Sequence, residues 1–241
     1  MPTYQTTGII IGRTNFGEAD RIVRLFTPDH GKVSAVAKGV RRIKSRSGGH
    51  LELLGEVNLM LATGRNLDLV TSARLVWYPH DLATDYGRLE LAFVMAAAID
   101  RLTMPDHPQA DLYKTFVEAL HVVNTGASGA LPELWFKLRL LNLTGYHPEL
   151  SSCVVCSIHD PETEYFFSPE RGGIVCAADA NPTDRAMSHT QIKFWRLLSD
   201  NSYGGIVQIQ NAPLLATQTL DSCNEFYKYH LGTSFREDKN P

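Results

Sequence analysis

The chain has 241 residues, enough for one large domain or two to three small ones, and its 44% hydrophobic content excludes a disordered chain. No apolar run is long enough to cross a bilayer and no signal peptide is evident. Four cysteines are too few for a disulfide framework, so we expect a reducing cytoplasm. The net charge of −3 hides an asymmetry, because residues 1–80 hold 11 Lys and Arg against 6 Asp and Glu, whereas residues 81–241 hold 12 against 20. This asymmetry predicts that the first part of the chain meets a polyanion.

The first part of the chain, residues 1–80, is predicted to be a small β-domain. The segments QTTGIIIGRT, RIVRLFT, GKVSAVAKGV, EVNLMLAT and LDLVTSARLV are rich in Val, Ile, Leu and Thr, as strands are. Turn-forming residues around Gly31 and Gly64 separate neighbouring segments. Five strands in about 75 residues predict a closed barrel of the OB type, whose open face often binds oligonucleotides. A small SH3-like barrel fits the same pattern.

From about Asp81 the hydrophobic period changes to that of helices. Two helices are indicated by the apolar stripes Leu89, Phe93, Ala96 and Ala97, and then Leu112, Phe116, Leu120 and Val123. Pro132 is placed to open a third helix and Gly145 to stop it, and a last helical run ends at Gly232. We therefore predict an α-helical domain over residues 81–241, with a cysteine-bearing insert at about 147–187.

The segment AVAKGVRRIKSR, residues 35–46, is strongly basic, and no acidic residue occurs between Asp29 and Glu52. Its basic residues are Lys38, Arg41, Arg42, Lys44 and Arg46. Clustered cations on a connecting loop suit phosphates, because contact releases condensed counterions. Tyr4 and Phe16 are the candidates for base stacking, and such a small number of rings predicts sequence-indifferent binding. The alternative is a solvated loop that keeps an edge strand soluble.

A series of short motifs occurs in a specific order. Gly17-Glu18 precedes DRIV, TPDHGK and AKGVRR follow, and a CxxC and the sequence His230-Leu231-Gly232 come later. This order resembles the RecO family of bacterial recombination mediators. The resemblance implies an N-terminal OB domain, a helical middle and, in some members, a zinc-finger-like insert. It implies binding to single- and double-stranded DNA and annealing of complementary strands. It also implies engagement of the single-strand-binding protein, and loading of RecA recombinase with RecR and often RecF.

The resemblance and the basic segment together define the expected contacts with DNA. The predicted DNA-binding residues are Lys32, Lys38, Arg41, Arg42, Lys44 and Arg46. In the family, a pocket on the helical domain receives the acidic C-terminal tail of the single-strand-binding protein. Trp135, Lys137 and Arg139 in LPELWFKLRLLNL are candidates for that pocket. The alternative is that Trp135 lies in the core and the two cations are ordinary surface charges.

The cysteines begin a zinc-ribbon pattern, C-x2-C-x19-C-x2-X. The predicted ligands are Cys153, Cys156, Cys176 and Asp179. Zinc-binding members of the family place a fourth cysteine where this chain has Asp179, so the softer thiolate is lost there. One structural zinc ion and an insert held by packing alone both remain open, and His159 is a substitute ligand with unmatched spacing. Cys223 is predicted to be a small core residue.

Catalytic motifs are absent from the sequence. No GxSxG, HExxH or GxxxxGK[ST] occurs, and the nine histidines form no i, i+4 pair. We expect a non-enzymatic DNA-binding protein of the cytoplasm, associated with the nucleoid. One alternative is a protein adaptor whose basic loop docks an acidic partner, and another is a zinc-dependent hydrolase.

Overall fold

The structure is a computed structural model that describes residues 1–42, 45 and 48–236. These residues form two compact units, 1–126 and 127–236, which are described separately. No helix in the described part of the chain is long and apolar enough to cross a membrane.

The first unit contains a closed five-stranded barrel. Its strands are β1 (Thr3–Phe16), β2 (Asp20–Thr27), β3 (Gly31–Ala37), β4 (Glu56–Ala62) and β5 (Asp68–Trp77). They follow the order β1-β2-β3-β5-β4, and β4 closes the barrel by pairing with β1. The pairing of β3 with β5 is parallel and the other pairings are antiparallel. The predicted OB-type barrel is confirmed.

Alternating side chains fill the barrel core. In β3, Val33, Ala35 and Ala37 are buried and the residues between them are not, which is the period-two pattern of a strand with one inward face. Residues 9–11 of β1 are all buried, and Ile10 belongs to the barrel core. Helix α1 (Tyr86–Leu102) packs against β1, which explains why both faces of this strand are apolar.

Helix α2 (Ala110–Asn124) completes the first unit. The rings of Tyr113 and Phe26 meet at 6.0 Å between centroids, and the Tyr113 hydroxyl donates to a carboxylate oxygen of Glu56 at 2.9 Å. Helix α1 begins after Asp85, whose carboxylate accepts from the backbone N–H of Arg88 and caps the first turn. Both helices predicted by the apolar stripes are present.

The second unit is a helical bundle with a small sheet. Its elements are α3 (Ala130–Leu143), β6 (Tyr165–Ser168), β7 (Gly173–Cys176), β8 (Arg185–Ala186), α4 (His189–Asp200), α5 (Tyr203–Ile206) and α6 (Ala212–Leu231). Helix α3 packs against α4 and α6, and the sheet has the order β7-β6-β8. Gly145 has a φ of 84°, so it adopts the left-handed conformation just after α3 ends, as its predicted stop role requires.

Candidate nucleic-acid interface and metal cluster

The basic segment leaves the barrel across the β1–β2 turn. Gly39 has a φ of 64°, and its backbone N–H donates to a carboxylate oxygen of Asp20 at 2.7 Å. The backbone N–H of Arg41 donates to the carbonyl of Ala19 at 3.0 Å, and its guanidinium donates to the carbonyl of Gly17 at 3.1 Å. These bonds hold the start of the basic segment against the turn between β1 and β2.

Three of the predicted DNA-binding residues are exposed at this place: Lys38, Arg41 and Arg42. In the part of the chain that the structure describes, their side chains form no ion pair. Lys44 and Arg46 lie outside the described residues.

Lys32 is in a different environment from the other predicted contacts. Its Nζ lies 3.2 Å from a carboxylate oxygen of Asp100 on α1 and also donates to the backbone carbonyl of that residue. Arg24 pairs with the same carboxylate at 3.0 Å. The Lys32 side chain is only 20% exposed, so the prediction that it contacts phosphate does not fit its place in the barrel–helix contact.

Arg65, which the sequence did not single out, lies at the same end of the barrel as the predicted stacking candidate Phe16. A cavity of about 260 Å³ is lined by Phe16, Lys38 and the β4–β5 turn at Gly64. The Phe16 side chain is 52% exposed, and Arg65 is exposed in that turn. We call Phe16, Lys38, Arg41, Arg42 and Arg65 the cationic barrel end. Only the strand order brings Arg65 there, although its Gly-Arg-Asn turn was visible in the sequence.

Two carboxylates border the same cavity, but both are used by the protein. Asp20 accepts the backbone N–H of Gly39, and Asp68 accepts the backbone N–H of Gly64 at 3.0 Å and the hydroxyl of Tyr4. Burial and this contact with Asp68 raise the pKa of Tyr4. Tyr4 is therefore tied to the barrel, and of the two stacking candidates Phe16 is the more exposed.

The four predicted ligands lie together in the second unit. Their ligand atoms are all within 4.8 Å of one another. The Sγ atoms of Cys156 and Cys176 are 3.7 Å apart, and an Oδ2 atom of Asp179 accepts from Cys153 Sγ at 3.3 Å and from Cys176 Sγ at 3.2 Å. His159 is not part of the cluster, since its Nδ1 lies against the backbone carbonyl of Ser151.

Two backbone turns place these ligands. The N–H of Ser157 donates to the carbonyl of Cys153 at 2.8 Å, and the N–H of Asp179 donates to the carbonyl of Cys176 at 3.0 Å. The N–H of Val154 donates to the carbonyl of Ile174 in β7 and ties the first turn to the sheet. The segments that begin at Cys153 and at Cys176 thus form two turns, and these turns bring the ligands together.

The environment of the sulfur atoms is polar. Burial tends to raise the pKa of the Cys153 thiol, but the backbone N–H groups of Cys156, Cys176 and Val155 outweigh it and lower that pKa below its ordinary value. The hydrogen bond to Asp179 raises the pKa of the Cys156 thiol to about 12. The same thiols, led by Cys156, lower the pKa of Asp179.

The cluster has the dimensions of a tetrahedral metal site. Zinc–sulfur bonds of about 2.3 Å place two ligating sulfurs about 3.8 Å apart, close to the 3.7 Å between Cys156 and Cys176. Backbone N–H groups directed at Cys153 favour the thiolate that a metal needs. This group of three cysteines and one aspartate can therefore hold a metal ion.

Comparison with known proteins matches both parts of the chain to one family. Residues 1–78 match the family model "Recombination protein O N terminal", and residues 83–239 match "Recombination protein O C terminal". The DNA repair protein RecO of Bifidobacterium adolescentis is 35% identical over 98% of both chains. The chain belongs to the RecO family.

Other RecO proteins are similarly related. The DNA repair protein RecO of Roseiflexus sp. is 35% identical over 90% of this chain and 78% of its own length. That of Dehalococcoides mccartyi is 30% identical over 86% of this chain and 82% of its own length. The boundary between the two family matches lies near residue 80. The compact unit that contains the barrel extends to residue 126 and includes α1 and α2.

The three residues proposed for a partner pocket in this RecO chain are mostly interior. Trp135 has no exposed surface, and its Nε1 donates to the carbonyl of Asn201 at 2.9 Å. Lys137 has none either, and its Nζ lies 2.6 Å from a carboxylate oxygen of Glu133. Direct contact of these two side chains with a partner does not fit this burial, because α4 and α6 cover them. Arg139 is half-buried and donates to the carbonyl of Ser199 at 2.7 Å.

Proposed function

We propose that this RecO chain is a non-enzymatic mediator of DNA repair and recombination. It binds single- and double-stranded DNA, anneals complementary strands and, with RecR and RecF, helps to load RecA recombinase onto coated strands. Membership of the RecO family supports the role in DNA repair. The cationic barrel end is the observation that carries the DNA-binding part of the proposal.

The chemistry of this surface suits a grip on the sugar–phosphate backbone. Exposed cations attract phosphates of any sequence, and the arginines offer planar forks that hold two phosphate oxygens. Phe26 in β2 has no exposed surface, so few rings remain to hold bases. Weak retention of bases favours annealing, because bases held at their pairing edges cannot find a complement.

Protein partners complete the proposed activity. We propose that the chain engages the acidic tail of the single-strand-binding protein and that it acts in the cytoplasm at the nucleoid. Residues 127–236 contribute to partner docking, and Arg139 is the residue of the predicted three that keeps exposed surface. A charge-assisted pair between the partly exposed Arg139 and a carboxylate of that tail is the contact that we propose for it.

The test of the proposed function is an annealing assay with complementary strands coated by the single-strand-binding protein. We expect the purified protein to accelerate duplex formation, measured by the fluorescence of paired dyes. DNA binding without faster duplex formation would contradict the proposed mediator role. Failure to bind DNA even in dilute buffer would favour the adaptor that docks an acidic protein, and chelator-sensitive cleavage of the strands would favour a hydrolase.

Replacing the exposed ring at the cationic barrel end should separate single-strand from duplex binding. We expect Phe16→Ala to weaken single-strand binding about tenfold, because one stacked base contributes about 1–3 kcal/mol. Duplex binding, whose bases are already stacked, should stay within about twofold. Tyr86→Ala is the matched control, since Tyr86 is 80% exposed at the start of α1. Fluorescence anisotropy measures both affinities, and equal losses on both DNA forms would contradict stacking.

We further propose that the cysteine cluster binds one structural zinc ion. Cys153, Cys156, Cys176 and Asp179 would hold it and join the two turns that carry them. A zinc ion bound by these groups contributes folding energy rather than reactivity, since all four ligand positions are filled by protein. The carboxylate makes this site harder than four thiolates, so its zinc affinity should be lower than that of a four-cysteine site.

Metal content measured by elemental analysis tests this proposal. We expect about one zinc per chain in the wild type, loss of the metal in Cys153→Ser, and tighter retention against a chelator in Asp179→Cys. Cys223→Ala is the control, because Cys223 is buried in α6 away from the cluster residues and should not affect the metal. A wild-type preparation free of metal would show that packing alone holds the insert.

A further inference from the structure

A second charged cavity lies in the unit 127–236, apart from the cysteine cluster. It has a volume of about 380 Å³ and lies between α4 and the segment that follows Cys156. Its lining includes Asp160, Ile174, His189, Ile192, Lys193 and Arg196. Neither the motifs of the sequence nor the proposed DNA contacts include this cavity.

One face of α4 supplies its positive charge. His189, Lys193 and Arg196 are spaced i, i+4 and i+7, so they lie on one side of the helix. Lys193 is exposed, and its side chain has no hydrogen bond or ion pair with any residue that the structure describes. Arg196 is partly exposed, and one terminal nitrogen of its guanidinium donates to the carbonyl of Leu150.

The remaining walls are apolar or already satisfied. Ile174 and Ile192 are 1% and 3% exposed and form an apolar floor. Asp160 is the acidic residue of the lining, and its carboxylate accepts from the backbone N–H of Glu162 at 2.8 Å and from the hydroxyl of Thr163 at 3.3 Å. The cavity therefore combines a net positive side with an apolar side.

We propose that this cavity binds the phosphomonoester group of a nucleotide. The volume is within the range of small-ligand sites, about 300–1,000 Å³. A doubly charged phosphate matches the exposed Lys193 and the partly exposed guanidinium-bearing Arg196, and a sugar or base suits the apolar floor. A long polyanion fits the cavity less well, because the few cations of the cavity lie at one place and do not form an extended track. The proposal does not depend on the DNA role of the barrel.

Calorimetric titration of the full chain with deoxyadenosine monophosphate, inorganic phosphate and deoxyadenosine tests the proposal. We expect saturable binding of the monophosphate, weaker binding of phosphate and none of the nucleoside. Lys193→Gln should weaken binding of the monophosphate about tenfold by removing one charge-assisted hydrogen bond, and Lys193→Arg should restore most of it. Lys228→Gln, an equal charge change on the exposed side of α6, is the matched control.

The source of the phosphate is resolved by competition. A 5′-phosphorylated oligonucleotide that displaces the monophosphate, when its 5′-hydroxyl counterpart does not, identifies a strand end as the ligand. Displacement by neither identifies a free nucleotide. The proposal is overturned if deoxyadenosine binds as well as its monophosphate, or if Lys193→Gln binds like the wild type. It is also overturned if Arg41→Glu/Arg42→Glu abolishes the signal, because the ligand would then be on the barrel.

Discussion

Reversing two charges in Arg41→Glu/Arg42→Glu is expected to lower DNA affinity about 100-fold near 0.1 M salt. Each lost phosphate contact lowers the binding constant almost tenfold at that salt, because fewer counterions are released. The introduced carboxylates also repel the DNA backbone. Both side chains are exposed, and the bond from Arg41 to the carbonyl of Gly17 that is lost lies on the surface, so the fold should tolerate the change. Anisotropy titrations with single- and double-stranded oligonucleotides measure the effect.

The dependence of the DNA-binding constant on salt concentration is a second measurement that tests the same variant. Four phosphate contacts give a log–log slope of about −3.6 on duplex DNA, and loss of two lowers it to about −1.8. Arg101→Glu/Lys114→Glu is the matched control, with the same charge change on α1 and α2, and should keep the wild-type slope. Unchanged affinity and slope in Arg41→Glu/Arg42→Glu would show that the cationic barrel end does not bind DNA.

Lys137→Met is expected to destabilise the unit 127–236 by about 3–5 kcal/mol. The substitution leaves Glu133 as a fully buried carboxylate without its main partner, which is the costly way to break a buried ion pair. The network is closed by Arg236, which donates to Glu133 at 2.6 Å, and by the Phe235 ring, whose centroid lies 4.4 Å from Lys137 Nζ. Urea unfolding of the full chain, followed by tryptophan fluorescence, measures the loss.

The exposed pair Lys114–Asp111 provides the control for this substitution. Its side chains are 75% and 73% exposed, so Lys114→Met should change stability by less than about 0.5 kcal/mol. The double variant Glu133→Met/Lys137→Met should recover part of the loss, because it removes both charges of the pair. A single variant as stable as the control would show that the pair is not a stabilising contact.

The same network predicts sensitivity to acid. Burial would raise the pKa of Glu133, but attraction to Lys137 and hydrogen bonds from Arg236 and Lys137 outweigh it and hold the pKa below its usual value. A carboxylate with a lowered folded-state pKa contributes stability above its unfolded pKa, and that contribution is lost as the pH falls through the folded pKa. We therefore expect the acid transition to be less steep when Glu133 and Lys137 are both replaced.

Features encoded within a few neighbouring residues were predictable from the sequence. Runs of β-branched residues and the turns between them predicted five strands, and periodic leucines predicted the helices. The spacing of Cys153, Cys156 and Cys176 predicted a cluster that the structure brings within 4.8 Å together with Asp179. Backbone preference, side-chain periodicity and ligand spacing act locally, so a single sequence records them.

Only the tertiary structure decided which charges stay free and which are neutralised. Lys32 lies in a basic part of the sequence, yet it pairs with Asp100, 68 residues away. Lys137 looked like a surface charge on α3 until packing against α4 and α6 enclosed it with Glu133. In the same way, strand order alone brings the Arg65 turn to the basic segment. Desolvation and ion pairing depend on the residues that a fold brings into contact, and those residues are distant in the chain.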